Sequence, residues 1–220
     1  MLRLLPTDTW NRGVLALFLL FWAVSCINVP YPKYFWLQHV PTVGGIVALA
    51  WAQNRLQISR VSYTLIIAFM ALHVFGARYL YSYVPYDEWT QQLFGFSITD
   101  RFGFERNHYD RLVHFCFGLW LIVPAWRFSR RIVGLGPAWA AVFAFMAIMT
   151  ASAIYEVLEW LGAIIMAPDW AESYNGQQGD VWDPQWDMAL AACGAILGLG
   201  FIAGGWFTVF DRDTVQSRPR

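Results

Sequence analysis

Apolar residues run along this chain in long stretches, broken by polar ones at intervals that predict about six membrane-spanning helices of roughly 20 residues each. The stretches cover residues 13–29, 34–53, 61–84, 112–128, 137–167 and 188–210. Gln38, His39 and Pro41 interrupt the second. The fifth is long enough to tilt or to project beyond the bilayer. The expected fold class is therefore all-α, a polytopic membrane helical bundle. No Pro/Gly/Ser-rich linker, internal repeat or low-complexity stretch divides the chain, so a single membrane domain over residues 1–220 is expected.

Basic residues orient the bundle. Arg3 and Arg12 precede the first span, Arg55 and Arg60 lie between the second and third, and Arg127, Arg130 and Arg131 follow the fourth. Arg212, Arg218 and Arg220 close the chain. With six spans all of these share one side, which places both termini in the cytoplasm. The apolar run ending at Ala23-Val24-Ser25-Cys26 loosely resembles a lipoprotein-type signal peptide. Ala23 stands where such signals usually carry Leu, so an uncleaved first span is expected.

Composition agrees with a membrane location. Residues are 58% hydrophobic and 14% charged, against about 25% charged in a soluble domain. The formal net charge is zero, which offers nothing to a nucleic acid. Cys26, Cys116 and Cys193 all lie in apolar segments, without the spacing of a disulfide framework or a metal site. Trp36, Trp89, Trp170, Trp182 and Trp186 suit interfacial anchoring. Gly194 and Gly198 form a GxxxG step, through which helices approach closely and an oligomer can form.

Three polar clusters do not suit bulk lipid. The first is Asn107-His108-Tyr109-Asp110-Arg111-Leu112-Val113-His114, where Asp110 and His114 share a helical face if the fourth span starts near Asp110. The second is Tyr155-Glu156-Val157-Leu158-Glu159 inside the fifth span, whose only charges are those two glutamates. Burying ionised carboxylates there costs several kcal/mol unless they are paired, metal-bound or protonated. The third runs from Asp180 through Asp183 and Pro184 to Asp187, at the entry to the sixth span. On a helical rise, Glu159 and Glu156 lie roughly 13 and 18 Å below Pro168, and His114 about 6 Å below Asp110. All three clusters then meet in one pocket open to the outer face. Arg78, in the outer half of the third span, is the expected neutralising partner for a glutamate. Asp110, Asp183 and Asp187 also suit plain helix starts. His39 and His73 read as structural. Asp87, Glu88, Asp169 and Glu172 read as solvated loop charges.

Taken together, Asp110-Arg111-x-x-His114-Phe115, Glu156-x-x-Glu159 and Asp187 followed by Gly194-x-x-x-Gly198 resemble the VanZ-like superfamily of membrane proteins. The Asn-His-Tyr-Asp-Arg, Tyr-Glu-x-x-Glu-Trp and Gly-Asp-x-Trp-Asp-x-Gln-x-Asp-Met strings are closer to the YjdF-like proteins of the bacterial inner membrane. The resemblance covers about residues 105–200. It implies an inner-membrane, multi-pass protein and no agreed activity. Glu159 replaces the VanZ-like Gln, and Ala191 stands at the VanZ-like Asn. The pocket is therefore more anionic than in that superfamily.

Clustered carboxylates with histidine suit Mg²⁺, Mn²⁺, Fe²⁺ or Zn²⁺. The expected ligands are His114, Glu156, Glu159, Asp187 and Asp183, with Asp110 orienting His114. Arg78, Asp180, His108, Arg111 and Tyr155 are expected around them. Such an ion activates water or polarises a phosphoryl or acyl oxygen, and an outward pocket suits an envelope or lipid-linked substrate. Without metal, Glu156, Glu159, His114 and Asp110 form the catalytic acid–base set, the two glutamates sharing a proton. Two other classes stand beside this one: a proton-coupled transporter, and a non-catalytic accessory protein held together by a structural ion-pair or metal site.

Overall fold

The computed structural model describes residues 5–56, 58–165 and 177–207. Arg3, Arg212, Arg218, Arg220, Asp169, Trp170 and Glu172, and the outer end of the fifth expected span, lie outside the described residues. The described residues are helical, with no strand among them: α1 (Thr9–Ser25), α2 (Pro32–Gln38), α3 (Val40–Leu56), α4 (Arg60–Arg78), α5 (Tyr86–Phe94), α6 (Ile98–Phe102), α7 (Tyr109–Arg131), α8 (Pro137–Ile165) and α9 (Asp183–Ala203).

Four of these, α4, α7, α8 and α9, are long and apolar enough to cross a membrane. Helices α1 and α3 have 17 residues each, or about 25 Å, slightly under a hydrocarbon core of about 30 Å. Local chemistry sets several starts. The Asp8 carboxylate caps α1 by accepting from Asn11 N (3.1 Å) and also pairs with Arg60 (2.8 Å). The Arg60 hydrogen bonds hold the Asp8 carboxyl below its ordinary value. The Ser59 hydroxyl accepts from Ser62 N (3.2 Å) at the start of α4. Pro184 sits in the first turn of α9, where its missing N–H leaves no orphan.

Two expected spans differ in outline. The second is broken at His39 into α2 and α3; the His39 ring bonds Thr42 Oγ1 (3.1 Å) across the junction. The third ends as a helix at Arg78, six residues early, and residues 79–84 turn instead. Leu80 (φ 48°) and Tyr81 (φ 56°) both take left-handed backbone there, a conformation that strains residues with a Cβ.

Helix α7 is the centre of the bundle, packing on α9, α4 and α8, while α1 packs on α4. One core lies between α1, α3 and α4 around Phe18, Leu49, Tyr63 and Val74. Another joins α7, α8 and α9 through Ile122, Val123, Ala144, Ile148 and Ala195. Leu17, Leu20, Val142, Met146, Ile154 and Ile196 stay exposed, as expected of side chains that meet acyl chains rather than a protein core. Arg127 is buried on α7 and donates to the Ser59 hydroxyl, tying that helix to the start of α4.

The α7–α9 approach depends on glycine. A Cβ on Gly118 would stand 1.9 Å from Ala191 O, one on Gly194 2.1 Å from Phe115 O, and one on Gly198 2.4 Å from Ile122 Cγ2. The GxxxG step is thus packed against α7 of the same chain. Ala191 is fully buried in this same contact. Only a small side chain fits there.

Asp87 also departs from expectation. It is not a solvated loop charge: it accepts from Thr99 N (2.8 Å), Thr99 Oγ1 (2.5 Å) and Ser97 Oγ (3.0 Å), clamping α5 to α6.

Candidate functional site

Helix α7 presents Asp110 in its first turn and His114 one turn deeper, on one face. Helix α8 brings Glu156 to the same point, and α9 brings Asp187 from one turn below Asp183. The close α7–α9 contact at the glycines lets the carboxylate of Asp187 reach His114.

The imidazole of His114 stands at the middle. Its Nε2 is 3.7 Å from Asp110 Oδ1 and 3.8 Å from Asp187 Oδ2, and its Nδ1 is 3.8 Å from Glu156 Oε1. None of these separations is a hydrogen bond. One ligand atom from each of Asp110, His114 and Asp187 lies within 4.8 Å of the others. Ligands on opposite sides of an ion bound at about 2.1 Å stand about 4.2 Å apart, so the gap has the scale of a cation. All four residues are buried, Asp187 to within 1% of its surface. Glu156 Oε1 and Asp187 Oδ1 have no hydrogen-bond partner among the described residues. Leaving a buried charged acceptor unpaired costs more than about 1–3 kcal/mol.

Glu159 is half-buried and lies within electrostatic reach of Asp110, Glu156 and Asp187, with Tyr155 hydrogen-bonded to it. The Tyr155 ring meets His114 edge-on at 5.9 Å between centroids. The two glutamates of the fifth span therefore share one inward side, as their spacing predicts.

Asp183 is not free to act as a ligand in the same way. It is buried and pairs directly with Arg106. Arg106 also lies 3.7 Å from Asp180 and donates to Gln177 O (2.9 Å). Arg111 pairs with Asp180 (2.5 Å), donates to His108 Nε2 (3.1 Å) and lies over the Trp186 ring. Gln178 and Asn107 bond reciprocally through backbone and side chain, each at 3.0 Å. These bonds form a clasp that fastens the segment before α7 to the start of α9, directly above the carboxylates. Arg106 and Gln178 were missed as site residues. The only sequence signal for them is that each adjoins a polar string already singled out.

His108 belongs to this clasp. Burial first, then the Arg111 and Arg106 guanidiniums, hold its imidazole below the ordinary histidine value, with Asp180 opposing. A depressed histidine contributes stability that is present above its unfolded value near 6.5 and lost as pH falls through the folded value. The clasp is therefore expected to loosen on acidification below about pH 6.5. Amide exchange at residues 177–183 should rise over that window, and His108→Gln should flatten the response. Arg111→Ala, removing a partly exposed pair, is expected to cost about 1 kcal/mol in thermal denaturation.

Arg78 is not the partner of a glutamate. Its guanidinium donates to Ser25 O (2.5 Å), Ile27 O (2.8 Å) and Asn28 O (3.2 Å). It serves the orphan carbonyls at the end of α1, where a cation also complements the helix dipole. The third span ends at Arg78, so the side chain emerges beside α1 rather than across from α8. Arg78→Met is expected to lower thermal stability by about 1.5–3 kcal/mol, the worth of hydrogen bonds to a charged group, and to leave the carboxylate site intact.

A 370 Å³ cavity opens beside the site. Asp110 and His114 form part of its wall, with Ser152 and Tyr155 of α8. The rest comes from α3, α4, the inner face of α7, Tyr81 and Ala151 and is mostly apolar.

Comparison with known proteins agrees with the membrane architecture. Residues 10–205 match the family described as predicted membrane protein (DUF2238). The inner membrane protein YjdF of Escherichia coli (strain K12) is 34% identical over 195 residues, 86% of this chain and 85% of its own length. No solved structure matches.

Proposed function

The chain belongs to the DUF2238 family of predicted membrane proteins, and on that premise we propose that it is a multi-pass protein of the bacterial inner membrane with an outward-facing divalent-metal site. It crosses the bilayer about six times, α1 and α3 completing the four longer helices, with both termini in the cytoplasm. The site acts on an envelope or lipid-linked substrate by metal-assisted or acid–base chemistry.

The observation that carries this reading is the gap between His114 Nε2, Asp110 and Asp187. Three ligand atoms face one another at separations too long for hydrogen bonds and suited to a shared cation. The unpartnered Asp187 Oδ1 adds a fourth donor position. Asp110 is then a ligand rather than the group that orients His114. Glu156, on the Nδ1 side, takes the orienting role, as second carboxylates do around metal-bound histidines. Oxygen-rich ligation with one imidazole favours Mg²⁺, Mn²⁺, Fe²⁺ or Zn²⁺. Such an ion supplies a Lewis acid or an activated water. Glu159, half-buried at the edge, is the group placed to accept or return a proton. Asp183 is committed to Arg106 and contributes charge rather than ligation.

One observation favours a second reading. The Arg106–Asp183 and Arg111–Asp180 pairs bind two elements together around the carboxylates, as a non-catalytic accessory protein with a structural metal would require. Elemental analysis of purified protein tests the metal site in both readings. Turnover that disappears with Glu159→Gln while bound metal remains separates the enzyme from the accessory protein.

A further inference from the structure

We propose that the cavity beside the carboxylates is a binding site for the hydrocarbon chain of a single-chain amphiphile, with Ser152 donating to an oxygen where chain and headgroup join. The proposal names the substrate class of the site above and rests on that reading only for the headgroup's position.

The cavity, at 370 Å³, falls within the range of ligand pockets, about 300–1,000 Å³. Its wall is built mainly from Ile66, Phe69 and Met70 of α4 and Val113, Phe117 and Leu121 of α7. An apolar cavity of this kind gives water too few partners to stay. In a bilayer the abundant solute that fits such a wall is an alkyl or isoprenyl chain.

Polarity is confined to specific points. Asp110 and His114 mark the end shared with the carboxylate site. Ser152 is 2% exposed, lines the cavity, and its Oγ has no hydrogen-bond partner. A helical serine ordinarily bonds the carbonyl one turn back; this one does not, so its donor is left for something inside the cavity. Glu156, four residues on, places the hydroxyl one helical turn from the carboxylates. An ester carbonyl or phosphate oxygen there sets the chain in the cavity and the reacting group over the site.

Two hydrogen bonds tie His73 and Tyr81 into the remaining wall. The Tyr81 hydroxyl donates to His73 Nδ1, and His73 Nε2 donates to Gln38 O (3.1 Å). Tyr81 reaches this position from the left-handed turn at residues 80–81, and its ring passes where a Cβ on Gly76 would stand. Both His73 and Tyr81 line the cavity and are hydrogen-bonded there, whereas Ser152 Oγ is buried without a partner among the described residues.

Proteoliposomes carrying a diazirine fatty acid or a diazirine isoprenyl phosphate test this. Photolabelling is expected on peptides containing Phe69–Met70 and Phe117–Leu121, about tenfold above peptides bearing the exposed Val142 and Met146. The better of the two probes identifies the chain type. Gly45→Leu, whose side chain enters the cavity beside Met70, is expected to reduce cavity labelling about tenfold. Ser152→Ala, nearly isosteric, is expected to reduce it about fivefold, the worth of one hydrogen bond. Labelling spread evenly over bilayer-facing peptides, or unchanged in both variants, overturns the proposal. Metal content is read on the same samples. Cavity labelling without metal sinks the metal reading and upholds this one; metal with even labelling does the reverse.

Discussion

Purified protein is expected to carry a stoichiometric divalent ion that Asp187→Asn and His114→Ala remove, and that Glu156→Gln retains about 10–100-fold more weakly. The ranking follows from geometry. Asp187 and Asp110 face Nε2 of His114 across the gap, while Glu156 faces Nδ1. Replacing a ligand removes a metal bond, at a cost above the outer-carboxylate range. Replacing Glu156 leaves the ligand set whole and loosens the imidazole. Without its ion, the wild-type site holds four buried carboxylate and imidazole groups with few partners. Chelation should therefore lower thermal stability in wild type and have little effect in Asp187→Asn. Inductively coupled plasma mass spectrometry beside a chelator melt measures both. If wild type and Asp187→Asn hold the same trace metal and melt alike with chelator, the ion site is wrong and a proton-sharing carboxylate cluster takes its place.

Gly194→Val is expected to destabilise the bundle by roughly 3 kcal/mol or more, beyond ordinary overpacking. The neighbour at 2.1 Å is the backbone oxygen of Phe115, which has no rotamer to yield. For a chain of this size that corresponds to a melting temperature lower by about 6–12 °C. Metal should be lost with stability, because the same helix contact delivers Asp187 to His114. Gly200→Ala is the control. It lies in the same helix with nothing within 4 Å of its Cβ position. Removing a helical glycine there should be neutral or stabilising by up to about 1 kcal/mol. Equal behaviour of the two variants would show that α7 and α9 do not meet through Gly194. A change in oligomeric state without destabilisation would return the GxxxG step to an interface between copies.

Residue spacing anticipated several of these features. The Asp110–His114 and Glu156–Glu159 intervals are helical, so each pair shares a face wherever the helix sits. Apolar runs mark helices because lipid penalises unpaired backbone, whatever the helices touch. Polar residues within those runs mark the site because burying them uncompensated is costly. Such arguments are local, and they placed His114, Glu156 and Asp187 in one pocket.

Partners were less legible. Arg78 looked like a counter-charge by depth alone, but α4 ends at that residue and the side chain meets α1. Nothing in the spacing around Arg106 points to a partner, yet it pairs with Asp183 across a sequence gap of 77 residues. Asp87 looked solvated, and Ser97 and Thr99 fold back onto it.

By itself, the sequence determined a helical membrane chain and the set of acidic and imidazole groups kept inside it, because hydropathy and helical period act within a single segment. Which carboxylate faces which imidazole nitrogen, where Arg78 and Arg106 find their partners, and the cavity beside Ser152 were decided only by the tertiary structure. Those outcomes depend on how closely α7 and α9 cross, and that distance is set by backbone atoms meeting at glycines far apart in the chain.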